Sequence, residues 1–448
     1  MIGHHDSTQR QSVSRAWTIL FLVLFGFACA PAESDGPIPN PFLEGKRDSW
    51  DWVNDPDRFA RFLDEELEYN AFALPKTGVA RKKAWPASYW PTYEDSTNHR
   101  WEGEGTLSPL EKYDLVFNGW TPSSDFMDLV PYEPRCDAVF DTAYYDAIGP
   151  AARWMSEKRG NWEARDGIDS DEDGSIDECV DRDGIESWWG LCHAWAPAAM
   201  LEPEPLYPVT VSGITFHPSD IKALLITKYD RTHSMVIGGR CRAEQVERDE
   251  NGRILDPNCR DTNAGSFHVV ITNFLGRFQV PIGEDRTYDR QVWNQPVHSY
   301  EIEYLEEVDE KQAISLLIVD PSTVPEYPFN KEAVRWAEVV VSVQYVTEST
   351  PSYIPLNDQH EKYLRTDRYH YVLELDADGK VIGGEWIDAD ATSSFGHFSH
   401  QPDFLWIPKG RASENLTTPH GTVDPRVNPH VNYMRVKELL EKSLIPPQ

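Results

Sequence analysis

Glu186-Ser-Trp-Trp-Gly-Leu-Cys192-His-Ala-Trp-Ala-Pro-Ala-Ala-Met200 reads as a tight turn running into a helix that opens at or just before its cysteine. Gly190 lets the chain turn, and Ala194, Ala196, Ala198 and Ala199 let the helix lie close to a core. At such a helix start the unpaired backbone N–H groups and the helix dipole favour a thiolate. The same N–H groups suit a developing oxyanion. Pro197 is tolerated only near a helix start, so the helix is kinked there or begins later than Cys192. On this stretch alone, a buried inert cysteine among tryptophans is an equal reading.

Working outward, Gly265-Ser-Phe-His268-Val-Val-Ile-Thr alternates like a strand, and Leu275-Gly276 reads as the turn of a hairpin. In that hairpin His268 pairs across near Gly283, which brings Asp285 to the imidazole. Asp289 and Asn294 are the alternatives for a residue that fixes the histidine tautomer. His193 is a weaker base candidate, because neighbouring residues on a helix point apart. A helix cysteine, a strand histidine about 75 residues on, then an Asp or Asn, is the order of the papain-like and transglutaminase group. The expected fold is therefore α+β with a papain/transglutaminase-like core: a helical lobe with the cysteine, then an antiparallel sheet lobe with the histidine.

Further runs agree with helices first and sheet second. Asp55–Tyr69 carries Phe59, Phe62, Leu63 and Leu67 on one helical face, and 136–158 is an amphipathic run broken at Gly149-Pro150. The aromatic, proline-bearing stretch 84–101 is loop, and 218–228 is a helix starting at Pro218 or Ser219. QPVHSYEIEYLEEV, AEVVVSVQYV and RYHYVLELDADGKVIGGEWI are strands, the last a hairpin turning at Asp376–Gly379.

Val292-Trp-Asn-Gln-Pro-Val297 closely resembles the peptide signature of the elicitor-type transglutaminases. Ser88–Ser96, Trp188–Trp195, Ala264–His268, Gly383–Trp386 and Pro402–Trp406 are similar to stretches of the same family. The resemblance runs from about 60 to 410. It implies acyl transfer from a protein glutamine to a lysine or other primary amine through a Cys192 thioester, with His268 as base and Asp285 as third residue. His298-Ser299 follows the signature where the eliciting members differ. A cysteine protease or protein deamidase of the same Cys-His-Asp class is the alternative enzyme. A calcium-stabilised surface interaction protein with an inert Cys192 is the alternative non-enzyme.

The 448 residues carry 42 Lys+Arg against 74 Asp+Glu, a net charge of -32. Such a surface repels phosphate backbones, which excludes nucleic-acid binding. Arg10 and Arg15 precede an apolar run, Ala16–Ala28, too short for an ordinary membrane helix. Gly26-Phe-Ala-Cys29 is an imperfect lipobox. Residues 1–29 thus read as an export signal, with lipidation at Cys29 or plain secretion. Residues 30–55 read as a tether. Residues 56–448 are the catalytic domain, with a helical lobe at about 56–235 and a β-rich lobe at about 236–448.

Export puts the cysteines in an oxidising compartment. With Cys29 and Cys192 set aside, Cys136, Cys179, Cys241 and Cys259 make two disulfides, preferably Cys241–Cys259 and Cys136–Cys179 among three connectivities. The segment 166–181 reads as a calcium loop: Asp169, Asp171 and Asp173 alternate, Gly174 stands at the sharp turn and Ser175 offers a carbonyl. Val180 occupies the place of the usual bidentate Glu, so Asp177 or Glu178 substitutes. The ion's expected role is structural, ordering the approach to Cys192.

Overall fold

Three period-two runs rich in β-branched and aromatic residues form the backbone of the molecule: β6 (Asn294–Val308), β7 (Arg335–Val346) and β8 (Leu364–Leu375). The computed structural model describes residues 51–129, 142–157, 187–240, 247, 254–286, 291–318, 321–390, 393–410 and 427–447. The expected export signal, the tether up to residue 50, the calcium loop, Asp289 and every cysteine except Cys192 and Cys259 lie outside the described residues; residues 51–55, read as the end of the tether, belong to the fold, with Val53, Asn54 and Asp55 buried.

The sheet has eight strands. Besides β6 to β8 they are β1 (Thr77–Val79), β4 (Ser234–Gly238), β5 (Gly283–Asp285), β9 (Val381–Trp386) and β10 (Phe404–Pro408), while β2 (Val209–Val211) and β3 (Ile214–Phe216) pair as a separate two-stranded sheet. The order is β4-β10-β5-β6-β7-β8-β9, with β1 also paired to β6, and every pairing is antiparallel. The β8–β9 hairpin turns as read, with Gly379 at φ 80°. Strand β1 comes from the half of the chain read as helical and still joins this sheet, and β4 straddles the expected boundary at about 235.

Side-chain alternation gives the sheet two separate cores. Along β10, Phe404 and Trp406 enter one core while Leu405 and Ile407 enter the other. The first core holds α2 (Pro109–Phe117), α4 (Pro150–Met155), α5 (Cys192–Leu201), α6 (Pro218–Tyr229) and α9 (Tyr433–Ser443). Gly149-Pro150 breaks the 136–158 run as expected, separating α3 (Thr142–Ala147) from α4. The second core holds α1 (Asp57–Leu63) through Phe59, and α7 (Ala264–Val270). A third, smaller cluster packs α8 (Glu310–Leu317) against Trp336 and Val372.

The expected hairpin at 265–280 is not formed. Ala264–Val270 is helix α7, and Ile271–Phe278 continues it in wider i→i+5 turns. Two local signals outweigh the β-branched Val-Val-Ile run. The Asn263 side chain caps α7, accepting from Gly265 N and Ser266 N at 2.9 and 3.3 Å. Phe267, Val270, Ile271, Phe274 and Leu275 recur at helical spacing and fill the second core. Helix α7 lies on β9, where a Cβ on Gly384 would fall 2.7 Å from Gly265 N.

Candidate active site

The turn before α5 is held by the aromatic loop 84–101. Leu191 N donates to Tyr89 O at 2.5 Å, Thr92 N to Trp189 O at 2.9 Å, and the Tyr89 hydroxyl to Ser187 O at 2.7 Å. A Cβ on Gly190 would stand 2.5 Å from the Tyr89 ring and 2.6 Å from its carbonyl oxygen, so this close approach requires glycine. Farther along, Trp195 Nε1 donates to Trp85 O and Trp85 Nε1 to Glu202 O, at 2.9 and 3.0 Å. The loop therefore grips α5 near both ends. Pro197 does lie inside the helix, and α5 starts at Cys192 rather than later.

Cys192 is the first residue of α5 and is fully buried. Its Sγ lies 3.6 Å from Val292 O and 3.9 Å from Asn294 Nδ2, whose amide points its N–H at the sulfur. The Val292–Val297 signature is thus laid directly over the cysteine. Asn294 pairs with Asp285 in the β5–β6 ladder, and Asp285 Oδ1 accepts the Trp293 N–H at 2.8 Å. Asp285 O accepts from Asp403 N at 3.1 Å, which fixes β5 against β10. Both Asp285 and Asn294 are buried. The structure therefore brings Cys192, Asn294 and Asp285 together. Tyr89 packs edge-on against Trp293 at 5.6 Å, and Trp188 against Trp189 at 6.1 Å, beside the same turn.

His268 is placed elsewhere. It sits on α7 rather than on a strand, among second-core residues, and its Nδ1 is 2.8 Å from the Tyr371 hydroxyl. Burial alone pushes its pKa down to about 3, so the imidazole is neutral. Among the described residues no hydrogen bond joins it to Cys192 or Asp285. The expected approach of Asp285 to the imidazole fails for the same reason as the hairpin: the chain that was to fold His268 back onto Gly283 is helical. His193 points toward α6, with its Nε2 2.8 Å from Asp230 Oδ1. No sequence signal marks Asp230 as that partner.

Cys192 and Cys259 are both disulfide-bonded. No disulfide joins two described residues. The reading that set Cys192 apart from the bridged cysteines is corrected here. Its tryptophan- and alanine-rich setting reflects a helix packed tightly at its start, and that packing accommodates a bonded sulfur as well as a thiol. For Cys259 the preferred pairing with Cys241 remains an expectation.

The opposite face of β5 and β6 carries a different chemistry. Glu284 and Gln295 form the neighbouring ladder pair and share their face with Ile282 and Val297 of the second core. Burial pushes the Glu284 carboxyl up to about 8, and neither of its oxygens has a hydrogen-bond partner among the described residues. Gln295 Nε2 donates to Glu348 Oε1 at 2.7 Å. Among the described residues there is no cluster of three metal-ligating side chains, and no helix is long and apolar enough to cross a membrane.

The family model described as transglutaminase elicitor matches residues 55–445, and the chain belongs to that family. Its fold is similar to that in the crystal structure of the GP42 transglutaminase from Phytophthora sojae, at 28% identity and a TM-score of 0.60. The match covers 87% of this chain and 98% of that one. No curated protein matches the sequence.

Proposed function

We propose that this transglutaminase-like protein is a protein-glutamine γ-glutamyltransferase whose nucleophile is Cys192. One observation carries the proposal: the signature strand of the family lies on the sulfur of a cysteine at a helix N-terminus, with Asn294 donating to that sulfur. The bonded sulfur is not a nucleophile, so an external thiol first releases Cys192 by thiol–disulfide exchange and is itself oxidised to a disulfide. The thiolate, favoured by the positive end of α5, then attacks a glutamine carboxamide of a protein substrate. The C–N bond breaks, the leaving nitrogen takes up the proton that the thiol released and departs as ammonia, and a thioester forms. A lysine or other primary amine attacks the thioester carbonyl and regenerates the thiol; water in its place gives deamidation. Asn294 Nδ2 and the first N–H groups of α5 are suited to the carbonyl oxygen as it gains charge. Asp285 supports that arrangement by fixing the backbone of Trp293. This reading assigns His268 no part in these steps as a base.

Two expectations travel with this reading as proposals resting on sequence alone. One is a structural calcium ion on Asp169, Asp171, Asp173, Ser175, Asp177 and Glu178. The other is export, either as a lipoprotein anchored at Cys29 or as a secreted protein. Incorporation of a fluorescent primary amine into a glutamine-rich protein tests the function, run with a thiol reductant and with calcium or a chelator. Incorporation by the wild type and none by Cys192→Ala supports acyl transfer. Peptide cleavage without incorporation, or silence from reduced and folded protein, refutes it.

A further inference from the structure

A groove of about 610 Å³ opens on the sheet face turned away from the second core, outside the candidate active site. Two cross-strand rows form its floor. Val79, Ser299, Gln344 and Thr366 stand side by side on β1, β6, β7 and β8, and Thr77, Glu301 and Ser342 make the next row. The end of the α7 extension, at Gly276 and Gln279, supplies a wall. Ser299 lies five residues beyond Asn294 on β6, roughly 17 Å along an extended strand, past the bulge between Val297 and Ser299.

The lining is hydroxyl and carboxamide chemistry, with one carboxylate and no cation. Arg368, two residues beyond Thr366 on β8, is held by both oxygens of Glu303 at 2.5 and 3.0 Å. An anionic ligand would therefore meet only Glu301. The side chains of Thr77, Gln279, Glu301 and Thr366 make no hydrogen bond among the described residues, and Gln344 uses only its oxygen, accepting from Ser299 Oγ at 2.9 Å. The two central floor strands, β6 and β7, are paired on both sides here, so an extended peptide finds no edge between them. Recognition in this groove thus falls to side chains that both donate and accept without charge, with the exposed Val79 as an apolar contact.

We propose that the groove is a non-catalytic binding site for a neutral oligosaccharide, whose hydroxyls pair with these hydroxyls, carboxamides and the one carboxylate. Titration of the full chain with cellohexaose, laminarihexaose and chitohexaose, followed by calorimetry, tests it. The expected result is saturable one-site binding by at least one of them, with a Kd of roughly 0.1–1 mM, as suits a shallow polar site. Gln344→Ala and Ser342→Trp should each weaken it about tenfold or more at an unchanged thermal midpoint. Amine incorporation should be unaffected in Gln344→Ala, since the groove is apart from Cys192. Absence of binding by all three sugars overturns the proposal. So does sugar binding that both variants leave intact, or a glutamine-bearing decapeptide that binds in their place and is lost in the variants.

Discussion

At the residue scale the account turns on two side chains. Cys192 combines a helix N-terminus, the signature strand and a disulfide in one place. Amine incorporation should be absent without a thiol reductant, appear on reduction, and fall at least ~10³-fold in Cys192→Ala. Full activity from protein whose Cys192 is shown by peptide mapping to be bonded would contradict the assignment. His268 carries the opposite expectation. Its partner is the buried Tyr371 hydroxyl, so His268→Asn should lower stability by about 1–3 kcal/mol in denaturant unfolding, through an orphaned buried hydroxyl. Acyl transfer per folded molecule should stay within ~10-fold of wild type. A loss as deep as that of Cys192→Ala, at unchanged stability, would restore His268 to the chemistry.

At the element scale the fit that bears on the site is the turn into α5 against the 84–101 loop. Gly190→Ala should cost about 1–3 kcal/mol in unfolding and also lower activity, because the added carbon meets the Tyr89 carbonyl oxygen and cannot be relieved by a rotamer change. Gly190→Ala at wild-type stability and rate would contradict this packing. Much of this was legible in the sequence. The start of α5 at Cys192, the Gly149-Pro150 break, α6 at Pro218, the three long strands and the turn at Gly379 all follow from period, proline and glycine. The α7 region was not, because Phe-His-Val-Val-Ile satisfies a strand's composition while its wider spacing satisfies a helix. In such a run the Asn263 cap and the second core decide the outcome, and the core is a tertiary fact. The candidate site followed the same division. Asp285 and Asn294 were named as partners of His268 through the same misread hairpin, and they lie beside Cys192 because the signature strand, not that hairpin, positions them.

At the scale of the whole molecule, one antiparallel sheet keeps two cores apart, with Cys192 buried on one side and His268 and Glu284 on the other. That division has a pH signature. Glu284 has its pKa raised from 4.5 to about 8 by burial, so between those values the folded chain holds a proton that the unfolded chain has released. Its contribution to stability is fully present below about pH 4.5 and is lost as pH rises through 8. Glu284→Gln should raise the thermal midpoint at pH 8 by at least ~2 °C and flatten the decline between pH 5 and 8. An unchanged profile would mean that the carboxyl is not buried as described. The most direct test of the central claim is covalent trapping at the sulfur. A glutamine peptide carrying an electrophilic diazoketone in place of its carboxamide would be added to oxidised and reduced protein, and the adduct mapped by mass spectrometry. The account predicts one adduct, on Cys192, formed only after reduction and abolishing amine incorporation in proportion to labelling. Reduced, folded protein that takes no label at Cys192, or keeps its activity when labelled there, would contradict it.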